Sequence, residues 1–375
     1  MIGLPSNLRR LRAALQPMRQ RGHGWAVSVL WQLPVATVLR AWRRVAQVLN
    51  RRLLNQPLNA ARFAAFQQGL PPGPQLRAYV IVMPHTLHFL LPCLRLLQGQ
   101  APLVLVANGA KAWELDWLQQ RLPGVPVFRL RTLPGSSLAH GDVVSLLLAQ
   151  HQGDFLLVDH DAYVFDATLL QRMRPQGREC LVTAFAQRSS TTGRPYPLTH
   201  LLAFQAETLR QLMQRHGIDA RLVRRAPQRL DELLTSVGLG PGRYLKDHQR
   251  FHDTLHLLLA VAQAEGWQWR LEGADDVPPS VMHVGGTSIG SHHTKRLFDL
   301  YIHLRFIDLL DDPLLRRRYA FLTHPLQHAD QALQRRALTD PAWQNLPVVH
   351  ALLQRLQTHP TQGRTVAAAL PGAKP

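Results

Sequence analysis

The fold of this chain is decided by the stretch Phe155-Leu156-Leu157-Val158-Asp159-His160-Asp161-Ala162-Tyr163-Val164-Phe165. Four apolar residues lead into two carboxylates one residue apart, and a second apolar run follows. A short apolar run bounded by polar residues predicts a buried strand over 155–158. Asp159 and Asp161 then lie where this strand leaves its sheet, which is the edge at which open α/β sheets bind ligands.

Two carboxylates in this position repel each other unless a cation neutralises them. Mg²⁺ and Mn²⁺ are commonly held by one or two carboxylates together with the phosphate oxygens of a substrate. Asp159 and Asp161 therefore indicate a divalent-metal site for a phosphorylated substrate. The alternative is that Asp159-His160-Asp161 is only a polar turn after a strand.

Composition limits the class of protein. A chain of 375 residues with 46% hydrophobic content can bury one sizeable core with helical additions. The formal charge of +19 favours anionic partners such as nucleotide phosphates, anionic lipid or nucleic acid. Cys93 and Cys180 give no disulfide framework and are typical of a reducing cytoplasm. The longest apolar segment, residues 24–39, is interrupted by Gln32 and Pro34 and is too short to predict a transmembrane helix. No convincing cleavage site follows it, so it does not predict a secretory signal.

The region 1–75 is predicted to be a helical N-terminal extension that ends at a Gly/Pro cluster over 69–74. It is rich in arginine and contains Trp25, Trp31 and Trp42. This composition is typical of a helix that lies on an anionic membrane surface. The alternative is a helix that packs on the domain with a solvated arginine face. We expect a cytoplasmic protein, either free or attached to the inner face of the membrane.

From residue 76 the pattern changes to alternating strands and helices. Strands are predicted over 79–83, 103–106, 125–130, 155–158, 180–185, 199–204 and 267–271, and helices over 87–97, 113–122, 143–150, 207–216 and 254–265. Repeated βα units predict an α/β fold with a Rossmann-type, mostly parallel sheet flanked by helices. No dinucleotide or P-loop glycine fingerprint follows any predicted strand. We expect a catalytic domain over 76–298, a helical C-terminal region over 299–359 and a disordered tail over 360–375.

Two further segments carry chemistry. His140-Gly141 precedes the helix that leads into the strand of the acidic pair. Much later, His283 stands beside two glycines and two hydroxyls in the run Val281-Met282-His283-Val284-Gly285-Gly286-Thr287-Ser288. Glycines let a backbone approach a phosphate closely, and a neutral histidine nitrogen is a suitable third ligand for a Mn²⁺-like ion.

In this order the motifs resemble the metal-dependent glycosyltransferases of the GT-A fold, and in particular a bacterial subset with a His-Gly pair before the acidic motif. The resemblance covers roughly residues 78–295. It implies Mn²⁺ or Mg²⁺ held by Asp159, Asp161 and His283, and transfer of a sugar from a nucleotide-diphosphate sugar to an acceptor hydroxyl. It also implies a role in making cell-surface polysaccharide or glycolipid precursors. This chain departs from the common D-S-D or D-D-D motif by having His160 between the aspartates.

The resemblance further implies a donor-binding site and a catalytic base. The donor-site candidates are Pro84, His85, Asn108, His140, Gly141, Asp159, Gly285, Gly286, Thr287, Ser288 and Lys295. Asp253 and Asp247 are the base candidates, and Asp253 is better placed because it directly precedes an apolar helix. Its alternative role is that of a helix N-cap. A retaining transferase needs no such base, so both stereochemical courses stay open.

Two functions other than glycosyl transfer are compatible with parts of the sequence. A phosphatase or phosphotransferase of the haloacid dehalogenase type also uses a D-x-D after a strand, with the first aspartate as nucleophile. Lys246 and Asp275-Asp276 would supply its later motifs, but that family has no use for the His283 segment. A nucleic-acid-binding protein would account for the charge. The sequence has no zinc-finger spacing, aromatic RNA-binding signature or basic heptad region, so no nucleic-acid partner is expected.

Overall fold

The structure is a computed structural model that describes residues 37–38, 41–42, 44–71, 76–177, 179–273, 279–285, 287, 297–323 and 341–360. The strands are β1 Arg77–Val82, β2 Leu103–Ala107, β3 Val127–Arg129, β4 Phe155–Val158, β5 Ala162–Val164, β6 Cys180–Ala184, β7 Gln187–Ser189, β8 Pro195–Pro197, β9 Leu201–Phe204, β10 Gln268–Leu271 and β11 Val281–His283. The helices are α1 Ala60–Gln68, α2 Leu87–Leu97, α3 Ala112–Arg121, α4 His140–Gln150, α5 Leu169–Arg172, α6 Ala206–His216, α7 Asp231–Ser236, α8 His256–Ala264, α9 Leu297–Leu310, α10 Pro313–Arg318, α11 Ala320–Thr323 and α12 Leu346–Thr358. A π-helical segment, Asn50–Asn59, leads into α1, and short 3₁₀ turns occupy Gln228–Leu230 and Pro341–Asn345.

A seven-stranded sheet in the order β10-β6-β9-β4-β1-β2-β3 forms the centre of the molecule. Strand β9 runs antiparallel to its neighbours β4 and β6, and the other neighbouring pairs are parallel. Two small antiparallel sheets, β5 with β11 and β7 with β8, stand beside it. The prediction of an α/β fold with a mostly parallel sheet flanked by helices is confirmed.

Both faces of the central sheet are buried, which explains the continuous apolar runs of its strands. Along β1, Ala78, Val80 and Val82 face one core, while Tyr79 and Ile81 face the other. This alternation is the period of two that a pleated strand imposes on its side chains. Because a one-residue slip would exchange the two sets, the pairing of β1 with its neighbours is strongly specified.

The C-terminal helices belong to the same hydrophobic core as α2. Phe306 of α9, Leu315 of α10 and Leu356 of α12 are buried in one cluster with the apolar residues of α2. Helix α9 also runs through the predicted boundary at 298/299. The division into domains stays a prediction, and the predicted tail falls almost wholly outside the described residues. No helix in the described part of the chain is long and apolar enough to cross a membrane.

Candidate metal and nucleotide site

The Asp159-His160-Asp161 turn is held from two sides at the carboxyl end of β4. The amide of Asp159 donates a hydrogen bond to the carbonyl of His200, the residue just before β9, at 2.8 Å. The thiol of Cys93 on α2 donates to the carbonyl of Ala162 at 3.1 Å. The backbone of the turn is therefore fixed by the sheet and by a buried helix, and the strand predicted over 155–158 is confirmed.

Strand pairing brings His283 to this turn from far along the chain. In the antiparallel pair of β5 and β11, His283 lies opposite Ala162, directly after the second aspartate. Its Nε2 atom lies 3.2 Å from Oδ1 of Asp161 and 3.8 Å from Oδ2 of Asp159. One ligand atom from each of the three residues lies within 4.8 Å of the others. The predicted ligand set is thus brought together in space.

The segment after β11 also holds the carboxylate of Asp161. The amide of Gly285 and the hydroxyl of Thr287 donate to Oδ2 of Asp161 at 3.1 and 2.6 Å. His160 Nε2 lies 2.9 Å from the same Thr287 hydroxyl. Because that hydroxyl gives its hydrogen to the carboxylate, His160 must donate to it. His160 therefore links the acidic turn to the 283–287 segment, a role that the sequence did not reveal.

The two carboxylates differ in their preference for a proton. Burial raises the pKa of Asp159 to about 6, and the negative charge of Asp161 adds to this shift. Burial also disfavours ionised Asp161, but the charge of His160 and the hydrogen bonds from His283 and Thr287 outweigh it and hold the pKa of Asp161 below its ordinary value. In the same way the contact with Asp161 overcomes burial and raises the pKa of His283. The pair thus resists carrying two negative charges, and a cation would relieve this repulsion.

A second histidine, which the sequence did not single out, supports the first. The ring of His200 stacks on that of His283, with centroids 4.5 Å apart and an interplanar angle of 9°. Burial, together with the charge of His283, lowers the pKa of His200 to about 3, so its ring is neutral. Arg188 on β7 lies close enough for its charge to act on both histidines. The only signal in the sequence was a polar residue near the start of the strand predicted over 199–204.

His140 lies near the other carboxylate oxygen of Asp159 from the one that faces His283. It is the first residue of α4, which begins three residues before the predicted helix over 143–150. Its Nε2 atom lies 3.7 Å from Oδ1 of Asp159 and has no hydrogen-bond partner among the described residues. Burial lowers the pKa of His140 against the attraction of Asp253, so the ring is neutral at neutral pH. A buried, neutral nitrogen beside the carboxylates is free to contact a ligand.

Asn108 and Gly141 position His140 by packing. The Asn108 side chain accepts a hydrogen bond from the amide of Leu138 at 2.8 Å and donates to its carbonyl at 3.0 Å, which holds the loop before α4. A Cβ atom on Gly141 would lie 2.8 Å from Cα of Arg221 and 2.9 Å from the carbonyl of Ala220. Both residues were predicted to bind the donor, and their contacts in the structure are with neighbouring backbone.

The two base candidates have different surroundings. Asp253 accepts a hydrogen bond from Lys246 at 2.5 Å and from the amide of Thr254 at 2.9 Å. Burial favours its neutral form, but Lys246 outweighs burial and lowers the pKa of Asp253. The carboxylate of Asp247 instead accepts hydrogen bonds from the backbone and hydroxyl of Thr191, at 2.9 and 2.6 Å. Asp253 lies near His140, whereas Asp247 is occupied with the turn between β7 and β8.

The remaining donor-site candidates are not brought to the acidic turn by any contact among the described residues. Pro84 and His85 follow β1, where the His85 amide donates to Oε1 of Glu114 at 2.7 Å and its ring packs against Tyr319 and Phe321. Three candidates lie outside the part of the chain that the structure describes: Gly286, Ser288 and Lys295. The same is true of Asp275 and Asp276, which the phosphatase alternative needs.

The residues at the turn fit a divalent cation on their own chemistry. Two carboxylates and one imidazole nitrogen form a donor set that suits Mn²⁺ and also accommodates Mg²⁺ through the oxygens. Oδ2 of Asp161 accepts hydrogen bonds from Gly285 and Thr287. Carboxylates that ligate a metal are commonly held by such hydrogen bonds. These three residues therefore form a candidate metal centre.

Comparison with known proteins finds a family match in one part of the chain. Residues 54–209 match the family model described as the StrH glycosyltransferase N-terminal domain. The match covers less than half of the chain, includes His140, Asp159 and Asp161, and ends before His283 and Asp253. No curated protein matches the sequence.

Solved glycosyltransferase structures show a more distant likeness. GlyE of Streptococcus pneumoniae TIGR4 matches with 9% identity and a TM-score of 0.38, over 66% of this chain and 64% of GlyE. TarS 1-349 of S. aureus matches with 14% identity and a TM-score of 0.27, over 76% of this chain and 81% of TarS. The bifunctional glycosyltransferase WbbM matches with 15% identity and a TM-score of 0.27, over 39% of this chain and only 35% of WbbM. Likenesses this weak carry no inference about function, so the family match alone supports a glycosyltransferase, and it does so for the part of the chain that carries His140, Asp159 and Asp161.

Proposed function

We propose that the protein is a metal-dependent glycosyltransferase that moves a sugar from a nucleotide-diphosphate sugar to an acceptor hydroxyl. One observation carries the proposal: Asp159, Asp161 and His283 converge at the carboxyl edge of a mostly parallel sheet. The family match over residues 54–209 supports the same reaction class. The GT-A relationship and the cell-surface product are parts of the proposal that rest on the resemblance, and the cytoplasmic location is a part that rests on the cysteine usage.

Asp159, Asp161 and His283 would hold Mn²⁺ or Mg²⁺ at the turn. When bound, such an ion supplies positive charge to the leaving nucleoside diphosphate. Thr287 and Gly285 fix the Asp161 carboxylate, and the stacked ring of His200 orients His283. Metal-binding side chains that are already held by hydrogen bonds and packing lose little freedom when the metal binds, and this favours tight binding of the metal.

The donor diphosphate would lie between Arg188 and His140. Arg188 adds positive charge on the histidine side of the turn, and the buried Nε2 of His140 faces the turn near Asp159. Preorganised donors and charges placed where negative charge develops are usually the largest contribution to catalysis. The roles of Gly285 and Thr287 are then to hold Asp161, and contact of Thr287 with the donor stays a prediction.

Asp253 would take the proton from the acceptor hydroxyl in an inverting reaction. Its hydrogen bond from Lys246 keeps the carboxylate ionised at neutral pH, so it can accept a proton. Asp253 also lies close enough to His140 for its charge to act on that ring, which supports a position for Asp253 near the reacting groups. Asp247 is the weaker candidate because Thr191 and Thr192 already use its carboxylate.

The proposal is tested by thermal unfolding with a panel of nucleoside diphosphates in Mn²⁺, in Mg²⁺ and in EDTA. We expect one nucleotide to raise the melting temperature only when metal is present, because a ligand of the folded state stabilises it. The shift should vanish in Asp159→Asn and persist in Asp116→Asn, which removes an exposed carboxylate on α3. Absence of a shift with every nucleotide, in folded protein, would contradict a transferase. A covalent phosphate trapped on Asp159 by a phosphoryl analogue would assign the site to a phosphatase instead.

A further inference from the structure

The described helical segment before β1 exposes a large apolar surface. Six of the nine large hydrophobic residues that are exposed in the described chain lie between residues 37 and 58. We call this set the outer apolar face: Val38 (67% exposed), Trp42 (42%), Val45 (52%), Val48 (51%), Leu53 (59%) and Leu58 (42%). Isolated exposed apolar residues are ordinary, but six within 21 positions of one segment indicate an interaction surface.

Two asparagines bind the same segment to the protein. Asn50 donates to the Ser136 hydroxyl at 2.9 Å and accepts from the amide of Leu133 at 2.7 Å. Asn59 donates to the carbonyl of Arg131 and accepts from its amide, at 2.9 and 2.8 Å. Both asparagines are fully buried. Rotating residues 50–59 would break four hydrogen bonds of two buried asparagines, so the fold fixes the orientation of this part of the segment.

The charges on this segment are of one sign. Arg44 and Arg52 are exposed within the same turns as the outer apolar face, whereas Arg51 lies close enough to Asp142 and Asp219 for its charge to act on them. No acidic residue occurs in the chain before Glu114. A surface that combines apolar side chains, a tryptophan and arginines without carboxylates complements an anionic lipid interface.

We propose that the outer apolar face docks on an anionic lipid bilayer and lies in its interface. Trp42 and the aliphatic residues would enter the boundary between headgroups and acyl chains, while the arginines would contact the lipid phosphates. A second copy of the chain is a poorer partner, because two arginine-bearing faces without carboxylates repel each other. This inference uses none of the residues of the candidate metal centre and stands whether or not the protein transfers sugars.

Co-sedimentation of the full chain with vesicles tests the proposal. The vesicles are phosphatidylcholine alone, or equal parts of phosphatidylcholine and phosphatidylglycerol. We expect binding to the anionic vesicles, weaker binding at high salt, and little binding to the neutral ones. The double variant Val45→Ser/Leu53→Ser should bind about tenfold more weakly, since burial of apolar groups contributes to interfacial affinity. Arg44→Gln/Arg52→Gln should lose the preference for anionic lipid.

The matched control is Leu222→Ser/Val348→Ser, which removes two residues of similar exposure, 50% and 58%, from other surfaces. It should bind vesicles as the unchanged protein does. All the altered residues are exposed, so every variant should melt near the temperature of the unchanged protein. Equal binding by Val45→Ser/Leu53→Ser, or no binding of the unchanged protein to anionic vesicles, would overturn the proposal. A dimer in light scattering that dissociates in Val45→Ser/Leu53→Ser, without vesicle binding, would overturn it in favour of a second copy.

Discussion

Replacing Asp159 by asparagine should stabilise the metal-free protein and remove its response to metal. Burial and the charge of Asp161 raise the pKa of Asp159 from 3.8 to about 6. One pKa unit corresponds to about 1.4 kcal/mol, so ionised Asp159 costs the fold roughly 3 kcal/mol at neutral pH as an upper limit. Its side chain is 25% exposed, and water screens part of this cost. We therefore expect Asp159→Asn to unfold with a free energy about 1–3 kcal/mol higher in EDTA.

The stability gained by Asp159→Asn should increase with pH. The folded-state pKa of Asp159 lies above its unfolded value, so the protonated carboxyl contributes stability below about pH 4, and this is lost as the pH rises through about 6. The difference in unfolding free energy between Asp159→Asn and the unchanged protein should therefore grow from pH 4 to pH 7 and then level off.

Metal should offset most or all of the variant's stability advantage. At a Mn²⁺ concentration a hundredfold above its dissociation constant, the unchanged protein should gain about 2.7 kcal/mol, and the variant much less because it has lost a ligand. Urea unfolding in EDTA and in Mn²⁺ measures both effects. Asp116→Asn, an exposed residue on α3, should change neither by more than about 0.5 kcal/mol. Loss of stability by Asp159→Asn in EDTA, or full retention of the Mn²⁺ gain, would refute the reasoning.

Three further perturbations follow from the contacts of the site. Thr287→Val removes a hydroxyl that donates to buried Asp161 at 2.6 Å, and should lower the unfolding free energy by about 2 kcal/mol, whereas Thr287→Ser should not. Gly141→Ala places a Cβ atom 2.8 Å from neighbouring backbone, and should cost about 1–3 kcal/mol in thermal or urea unfolding. Lys246→Met removes the group that lowers the pKa of Asp253. If Asp253 is the base, the acidic limb of the pH profile of kcat/KM should move to higher pH in this variant. An unmoved limb would exclude Asp253 as the base.

The positions of the strands along the chain and the location of the acidic pair could be predicted from the sequence, because both depend on local signals. The apolar run 155–158 is bounded by charge, and the helix predicted over 87–97 matches α2. Such runs form buried parallel strands wherever they occur in βα repeats. Placing the aspartates at the ligand-binding edge needed no knowledge of distant contacts.

The supporting residues could not be predicted in the same way. His200 belongs to the site because β9 runs antiparallel to β4 and therefore begins where β4 ends. The Cys93 thiol reaches the turn through the packing of α2 beneath it. His160 was noted in the sequence only as a departure from the common motif, and its partner Thr287 lies 127 positions later. Strand direction and helix packing are properties of the whole sheet, and no local pattern encodes them.

The sequence by itself determined an α/β chain with two carboxylates at a sheet edge, because hydrophobic periodicity and charge placement act over a few residues. Only the tertiary structure decided which residues meet those carboxylates. The antiparallel pairing of β5 with β11 brings His283 to Asp161, although 122 positions separate them along the chain. Such long-range pairing depends on contacts throughout the core, and these contacts form only when the whole chain folds.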